Sequence, residues 1–146
     1  MPTWTFEHTI ETAASPEAAW AVLADVGAWP SWDHEVERAQ LDGPLEAGVT
    51  GSLKPAGGPN TRFTVTAAQA PQRMTDVTKL PLARMTFDHR YAPVSGGGTR
   101  LTHAVRIEGV LSPLFARVIG RKIEAGLPTA MQALAAKAAE RDTVAT

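Results

Sequence analysis

Residues 15–33, SPEAAWAVLADVGAWPSWD, constrain the fold more than any other segment, because they predict a short capped helix followed by a loop with two tryptophans. The Ser15 hydroxyl can cap the helix, and Pro16 suits the first helical turn, where no amide partner is lost. Apolar residues then recur at the helical period until a glycine and a proline end the helix and leave Trp29 and Trp32 on the exit loop. An amphipathic strand directly before this segment completes an order that is typical of folds built around a pocket.

The composition predicts one ordinary globular domain over residues 1–146. The chain is 146 residues long, 44% hydrophobic and 20% charged, which is enough for a core of useful size. A formal net charge of -1 favours neither nucleic acid nor an anionic membrane as a partner of the whole molecule. The one local group of cations, Arg117, Arg121 and Lys122, is interpreted as a solvated helix face.

The absence of cysteine excludes disulfides, thiolate metal sites and cysteine nucleophiles. No apolar run approaches the roughly 20 residues that span a bilayer, and the N-terminus lacks the basic start and apolar centre of a secretion signal. We therefore expect a cytoplasmic protein with no integral membrane association.

Alternating apolar and polar residues predict about seven strands. The candidates are residues 4–12, 35–41, 49–54, 62–68, 74–80, 84–91 and 99–110. The strand at residues 74–80 alternates too poorly to assign its inward face.

The last two strands are predicted to form a hairpin around the glycine-rich turn at residues 95–98. The two-residue period of a strand then fixes which side chains face each other. The predicted pairs, mostly apolar inside and of opposite charge outside, are His89 with His103, Phe87 with Val105, and Arg84 with Glu108.

A long C-terminal helix is predicted to open at Ser112, where a Ser-Pro pair repeats the cap of the first helix. Its apolar side includes Met131. Pro128 removes one backbone hydrogen bond and predicts a bend near residues 124–128. Residues 142–146 are expected to fray.

The order of these elements, with the sequence WPSWD after the first helix, resembles the SRPBCC or START-like superfamily, and within it the polyketide cyclase/dehydrase and lipid-transport branch. The resemblance covers residue 4 to about residue 139, and Trp29 and Trp32 match the family's loop. It implies an α+β helix-grip fold, in which a curved antiparallel sheet of about seven strands wraps a long C-terminal helix, with a short helical insert after the first strand. It also implies a small hydrophobic ligand in an apolar cavity, but a fold does not choose between catalysis and carriage.

Three histidines, His8, His89 and His103, occupy apolar-facing positions of their strands. If the resemblance holds, the first and last strands are neighbours and the three imidazoles approach one another, since directly opposed Cβ atoms lie about 5 Å apart. Three interpretations stay open: a water-linked polar patch that satisfies itself, a set of groups that orient a ligand, and a metal or acid-base site.

The predicted ligand site combines apolar and polar contacts. Tyr91 has two interpretations, a hydrogen bond to the ligand or a position in contact with water at the pocket rim. Trp29 and Trp32 can pack their loop onto the body, or one of them can close the pocket mouth over the ligand, and these two interpretations do not exclude each other. The predicted ligand-binding residues are His8, Trp32, Phe63, Phe87, His89, Tyr91, His103 and Met131. No catalytic residue, metal or cofactor is assigned.

The leading hypothesis is binding of a small hydrophobic ligand, such as a lipid, a polyketide or an aromatic metabolite, between the sheet and the long helix. The first alternative is a polyketide cyclase, dehydrase or aromatase, in which His89 or His103 moves a proton while Tyr91 binds a carbonyl. The second alternative is a stress-response or chaperone-partner module. A homodimer is compatible with each of them.

Overall fold

The computed structural model describes residues 2–145, with side chains as far as Thr143. Its strands are β1 Thr3–Thr12, β2 Val36–Leu41, β3 Thr50–Pro55, β4 Thr61–Gln69, β5 Arg73–Leu80, β6 Ala83–Pro93 and β7 Thr99–Glu108. Its helical elements are α1 Pro16–Ala24, a 3-10 helix Val26–Ser31, α2 Ser112–Phe115, a π-helical turn Ala116–Gly120 and α3 Arg121–Ala145.

The seven strands form one antiparallel sheet in the order β1-β7-β6-β5-β4-β3-β2. The sheet curls into a half-barrel around the C-terminal helix, which confirms the predicted α+β helix-grip fold. The predicted strands agree with the observed ones to within one or two residues at each end. We call the side of the sheet turned toward α3 its inner face.

The start of α1 confirms the predicted cap and adds a contact that the sequence does not reveal. The Ser15 hydroxyl accepts a hydrogen bond from the Ala18 amide at 3.2 Å. The carboxylate of Asp142, near the end of α3, accepts from the Ser15 amide at 2.7 Å and from the Ser15 hydroxyl at 2.9 Å. The expectation that the chain frays from residue 142 is therefore wrong for Asp142, because this contact ties the end of α3 to the start of α1.

The two tryptophans after α1 lie in the 3-10 helix and the residue after it, and both are buried. The Trp29 indole donates a hydrogen bond to the carbonyl of Leu23 at 2.8 Å. Its ring stacks on Phe63 of β4 and meets the edge of Trp32, at centroid distances of 6.4 and 6.2 Å. The interpretation that these tryptophans pack their loop onto the body is confirmed.

The register of the β6-β7 hairpin is the predicted one. On the outer face, Arg84 donates to the carboxylate of Glu108 at 2.9 Å. On the inner face, His89 lies opposite His103, and the β1 pairing sets His8 opposite His103 as well. The histidines of three adjacent strands are therefore brought together, as predicted.

The apolar-polar alternation of β5 is weak because this strand buries polar residues. Met74, Asp76 and Thr78 alternate along the inner face, where they oppose inward-facing residues of β6. Two of these three residues are polar although all three are buried. An apolar-polar rule cannot identify a buried face that carries polar groups.

The C-terminal helix begins differently from the prediction. Leu111 is the N-cap of α2, and Ser112 lies buried inside the first turn without capping it, so the predicted cap is wrong. The chain then passes through the π-helical turn, where Gly120 lies against the Trp4 ring so closely that an added Cβ would be 3.0 Å from it. Helix α3 continues through Pro128. The irregular part of the C-terminal helix is the π-helical turn Ala116–Gly120, which lies before residues 124–128, where the bend was predicted.

Helix α3 packs its apolar side onto the core of the molecule. Its buried residues are Leu127, Ala130, Met131, Leu134 and Ala138. Within residues 2–145, no helix combines the length and the apolar content needed to cross a membrane.

Candidate functional site

Three side chains on the inner face, His89, Tyr91 and His103, form a contact group that we call the histidine cluster. The imidazoles of His89 and His103 meet edge to face, with centroids 4.6 Å apart. The Tyr91 hydroxyl lies 2.9 Å from Nε2 of His103, and Nδ1 of His89 lies 2.9 Å from the carbonyl of Met74. Because a carbonyl only accepts, Nδ1 of His89 carries the proton of that bond.

Burial keeps the histidine cluster uncharged. It lowers the pKa of His89, and it lowers the pKa of His103 well below its usual range, with the neighbouring His89 and His8 adding to the effect. Burial also raises the pKa of Tyr91, which therefore stays a phenol. At neutral pH the cluster offers neutral hydrogen-bonding groups and no fixed charge.

Tyr91 is buried, so its predicted alternative position at a wet rim is wrong. His8 lies directly opposite His103 on the edge strand β1 and is half-buried. Within the described part of the chain, no three histidine or carboxylate side chains are arranged to hold a metal ion.

Sequence reasoning missed Asp76, which lies on the inner face opposite Phe87. The side chain is 8% exposed, and within residues 2–145 no hydrogen bond or ion pair reaches its carboxyl group. Burial raises the pKa of Asp76 to about 7, and the nearby charge of Asp88 acts in the same direction. Once Met74 is known to face inward, the strand period alone places Asp76 beside it.

The apolar residues of the predicted site surround these polar groups. Phe87 is half-buried and stacks on His89 at a centroid distance of 6.1 Å. Phe63 is buried beneath Trp29, and Met131 is fully buried on α3. Trp32 is also buried, and its indole nitrogen finds no hydrogen-bond partner among the described residues.

Trp29 is the second residue that the prediction missed. Its ring lies 6.3 Å from His89, so it connects the histidine cluster to Phe63 and Trp32. The sequence places Trp29 and Trp32 on the same exit loop, but only the geometry of the 3-10 helix shows that the Trp29 ring stacks on Phe63 of the sheet.

Two surface clefts lie outside this group. One, of about 400 Å³, runs between the tryptophan segment and the end of α3 and is lined by Val22, Asp25, Ala28, Ser31, Trp32, Lys137, Glu140 and Arg141. The other, of about 450 Å³, is lined by Leu82, Ala83, Arg84, Glu108, Gly109 and Val110. The histidine cluster and Asp76 line neither of them.

Comparison with known folds gives close structural matches at low sequence identity. The di-domain ARO/CYC protein StfQ from the steffimycin biosynthetic pathway matches with a TM-score of 0.77 and 17% identity, over 97% of this chain and 52% of that one, so the chain spans about half of its length. The aromatase/cyclase Zhui from Streptomyces sp. R1128 matches with a TM-score of 0.75 and 18% identity over 96% of both chains. A START superfamily protein from Mycobacterium smegmatis matches with a TM-score of 0.70 and 17% identity, over 93% of this chain and 97% of that one.

The sequence itself places the chain in a family. Comparison with curated protein sequences found no match. The family model for polyketide cyclase/dehydrase and lipid transport, in contrast, matches residues 3–140. That match covers nearly the whole chain and agrees with the helix-grip fold, and so the chain belongs to the polyketide cyclase/dehydrase and lipid-transport family.

Proposed function

We propose that this protein binds a small, largely apolar molecule between the inner face of the sheet and α3. The observation that carries the proposal is Asp76, which is 8% exposed on the inner face and receives no hydrogen bond or ion pair within residues 2–145, so that its carboxyl oxygens keep only a small contact with solvent. Taking a polar group out of water without a new partner costs about 1–3 kcal/mol, and more when the group is charged, so the partly desolvated Asp76 carries part of this cost. A ligand that donates a hydrogen bond to Asp76 removes this cost on binding.

The surroundings of Asp76 define the rest of the ligand. Phe87 and Val65 lie directly opposite Asp76 on the two neighbouring strands, and Val65 belongs to the buried apolar core. A site with many apolar contacts and few polar ones is typical of small-molecule pockets. The proposed ligand is therefore an aromatic, polyketide-like or lipid molecule with at least one hydroxyl or amino group.

The two surface clefts described above include neither the histidine cluster nor Asp76 in their linings. Trp29 covers His89 and fills the space between it and Phe63. We propose that the tryptophan segment moves to admit the ligand, so that Trp32 shifts at the mouth of the site while Phe63, Phe87 and Met131 contact the ligand's apolar part.

The experiment is ligand capture followed by displacement. Native mass spectrometry and solvent extraction of the purified protein would identify copurifying molecules, and an environment-sensitive fluorescent probe would report binding of a lipid, polyketide and aromatic panel. We expect the wild type to bind at least one class of the panel. For ligands that carry a hydroxyl or amino group, Asp76→Asn should bind at least tenfold more weakly than the wild type. The matched control is Asp88→Asn, the same change on the outer face, which should bind as the wild type does. Absence of binding across the panel would refute the proposal.

Asp76 also supports a second candidate function, a cyclase, dehydrase or aromatase activity on a polyketide-like substrate. A group that moves protons works best when its pKa is near the working pH, and the pKa of Asp76 is about 7. His89 and His103 fit the acid-base role less well, because burial lowers the pKa of both. Tyr91 supplies a hydroxyl that can bind a carbonyl, provided that it releases His103.

The two candidates differ in what Asp76→Asn does. An enzyme would lose turnover of a poly-β-ketone substrate while keeping measurable affinity, and its wild-type pH-rate profile would show an inflection near the pKa of Asp76. A carrier would show no turnover in either form. Parallel changes of His89 and His103 to Gln would test the alternative in which a histidine moves the proton.

A further inference from the structure

Four large apolar side chains are exposed at one end of the sheet. Leu82, in the turn between β5 and β6, is 68% exposed, and Val110, just after β7, is 59% exposed. Leu114 on α2 and Val118 in the π-helical turn are 52% and 55% exposed. No other large apolar side chain in the described part of the chain is exposed to this degree.

These residues belong to one surface, because the segments that carry them pack together. The amide of Leu111 donates to the carbonyl of Leu82 at 3.1 Å, which joins the start of α2 to the β5-β6 turn. A Cβ at Gly109 would lie 2.6 Å from the same carbonyl, so the chain after β7 runs directly against that turn. We call the surface formed by Leu82, Val110, Leu114 and Val118 the apolar end.

The apolar end is accompanied by unpaired positive charge. Residues 109–123 contain Arg117, Arg121 and Lys122 and no acidic residue. All three cations are exposed, and none forms an ion pair with a residue of the described chain. Cations on the outer face of the sheet differ, since Arg73 and Arg84, for example, each bind a carboxylate.

We propose that the apolar end docks on the surface of an anionic lipid bilayer. Exposed apolar side chains beside lysine and arginine are the combination that binds at the boundary between lipid headgroups and acyl chains. The net charge of the whole molecule is -1, so this attraction is local and depends on the orientation of the protein. The cleft of about 450 Å³ that Leu82 and Val110 line opens on the same surface, and the one carboxylate in its lining, Glu108, is paired with Arg84.

The three exposed cations favour an anionic bilayer over a second copy of the chain as the partner of the apolar end. A second copy of the chain would bring the same three cations against each other, which opposes association through this surface. The proposal does not rest on the interior ligand, because none of its residues contacts Asp76 or the histidine cluster.

Vesicle flotation tests the proposal on the intact protein. We expect binding to vesicles that contain phosphatidylglycerol and phosphatidylcholine, at least tenfold weaker binding to phosphatidylcholine alone, and weakening by added salt. The double variants Arg117→Glu/Arg121→Glu and Leu114→Asp/Val118→Asp should each weaken binding tenfold or more. Both pairs are exposed, so folding should be retained, and circular dichroism would verify this.

The matched control is the double variant Arg38→Glu/Arg141→Glu, which reverses the same number of charges at two exposed residues outside the apolar end, one on β2 and one near the end of α3. It should bind vesicles within twofold of the wild type. The proposal is overturned if the wild type does not bind anionic vesicles, or if the double variants bind as it does. It is also overturned if sedimentation shows a dimer that Leu114→Asp/Val118→Asp dissociates, since the occupant would then be a second copy. Failure of the interior ligand experiment leaves these outcomes unchanged.

Discussion

Replacing Asp76 with asparagine should change stability by an amount that depends on pH, because the folded and unfolded states ionise this carboxyl group over different ranges. In the folded protein, burial raises the pKa of Asp76 to about 7 from the ordinary value of 3.8. Between these two values the folded state holds a proton that the unfolded state has released. Stability therefore falls as the pH rises through this window, and above it the loss is complete.

The size of the effect follows from the two pKa values. One pKa unit corresponds to about 1.4 kcal/mol, so the raised pKa of Asp76 makes the folded state about 4 kcal/mol less stable once the group is ionised. About half of this loss, roughly 2 kcal/mol, falls between pH 5.5 and pH 8.5. Asparagine does not titrate, so the free energy of unfolding of Asp76→Asn relative to the wild type should rise by about 2 kcal/mol over that interval.

The assay is urea unfolding of both proteins at pH 5.5 and pH 8.5. At each pH we take the difference in the free energy of unfolding between Asp76→Asn and the wild type. Any effect of the amide that does not depend on pH cancels when the difference at pH 5.5 is compared with the difference at pH 8.5. The titrations of His89 and His103 cancel as well, since both proteins keep them. Asp88→Asn is the control, because the pKa of Asp88 is lowered and its charge is constant over this range. A difference between Asp76→Asn and the wild type that is the same at both pH values would refute the reasoning.

Three further substitutions test local features of the fold by equilibrium unfolding. Ser15→Ala removes the helix cap and a hydrogen-bond donor to Asp142, and it should cost about 1–2 kcal/mol, whereas an unchanged midpoint would contradict the cap. Gly51→Ala places a Cβ 2.5 Å from the Phe63 ring and 2.6 Å from the backbone carbonyl oxygen of Gln40, and should cost about 1–3 kcal/mol, with little loss only if both the ring and the β2 backbone can move. Tyr91→Phe leaves a buried nitrogen of His103 without its partner and should cost about 1–3 kcal/mol, so a variant of wild-type stability would mean that water replaces the hydroxyl.

The sequence was sufficient for the elements whose signals are local. The β6-β7 hairpin was predicted in the correct register, because a glycine-rich turn and the strand period fix the facing pairs without knowledge of the rest of the fold. The cap at Ser15 depends on contacts within one helical turn and was correct for the same reason. The same Ser-Pro pair at Ser112 misled the prediction, since there Leu111 takes the capping position and Ser112 is buried in the first turn.

The contacts that define the site are not local, and the sequence did not predict them. The link between Ser15 and Asp142 joins residues at opposite ends of the chain. The inward position of Asp76 depends on the pairing of β5 with β6, because its own strand carries polar residues on the buried face. Periodicity measures how well apolar residues segregate, so it is weakest where a protein buries polar groups. Such places are also where function is expected.

A hydrogen bond to Asp76 should contribute more to ligand affinity than a hydrogen bond to His89 or His103. His89 already gives its Nδ1 proton to Met74, and His103 already shares a hydrogen bond with Tyr91. A ligand that binds either of these groups at those atoms must first break a hydrogen bond, and the gain from the new one is offset by the loss. A ligand that binds Asp76 breaks no protein hydrogen bond and gives a partner to a carboxyl group that burial has partly removed from water. Ligand selectivity should therefore follow the donor group placed at Asp76, with the histidine cluster shaping the space around it.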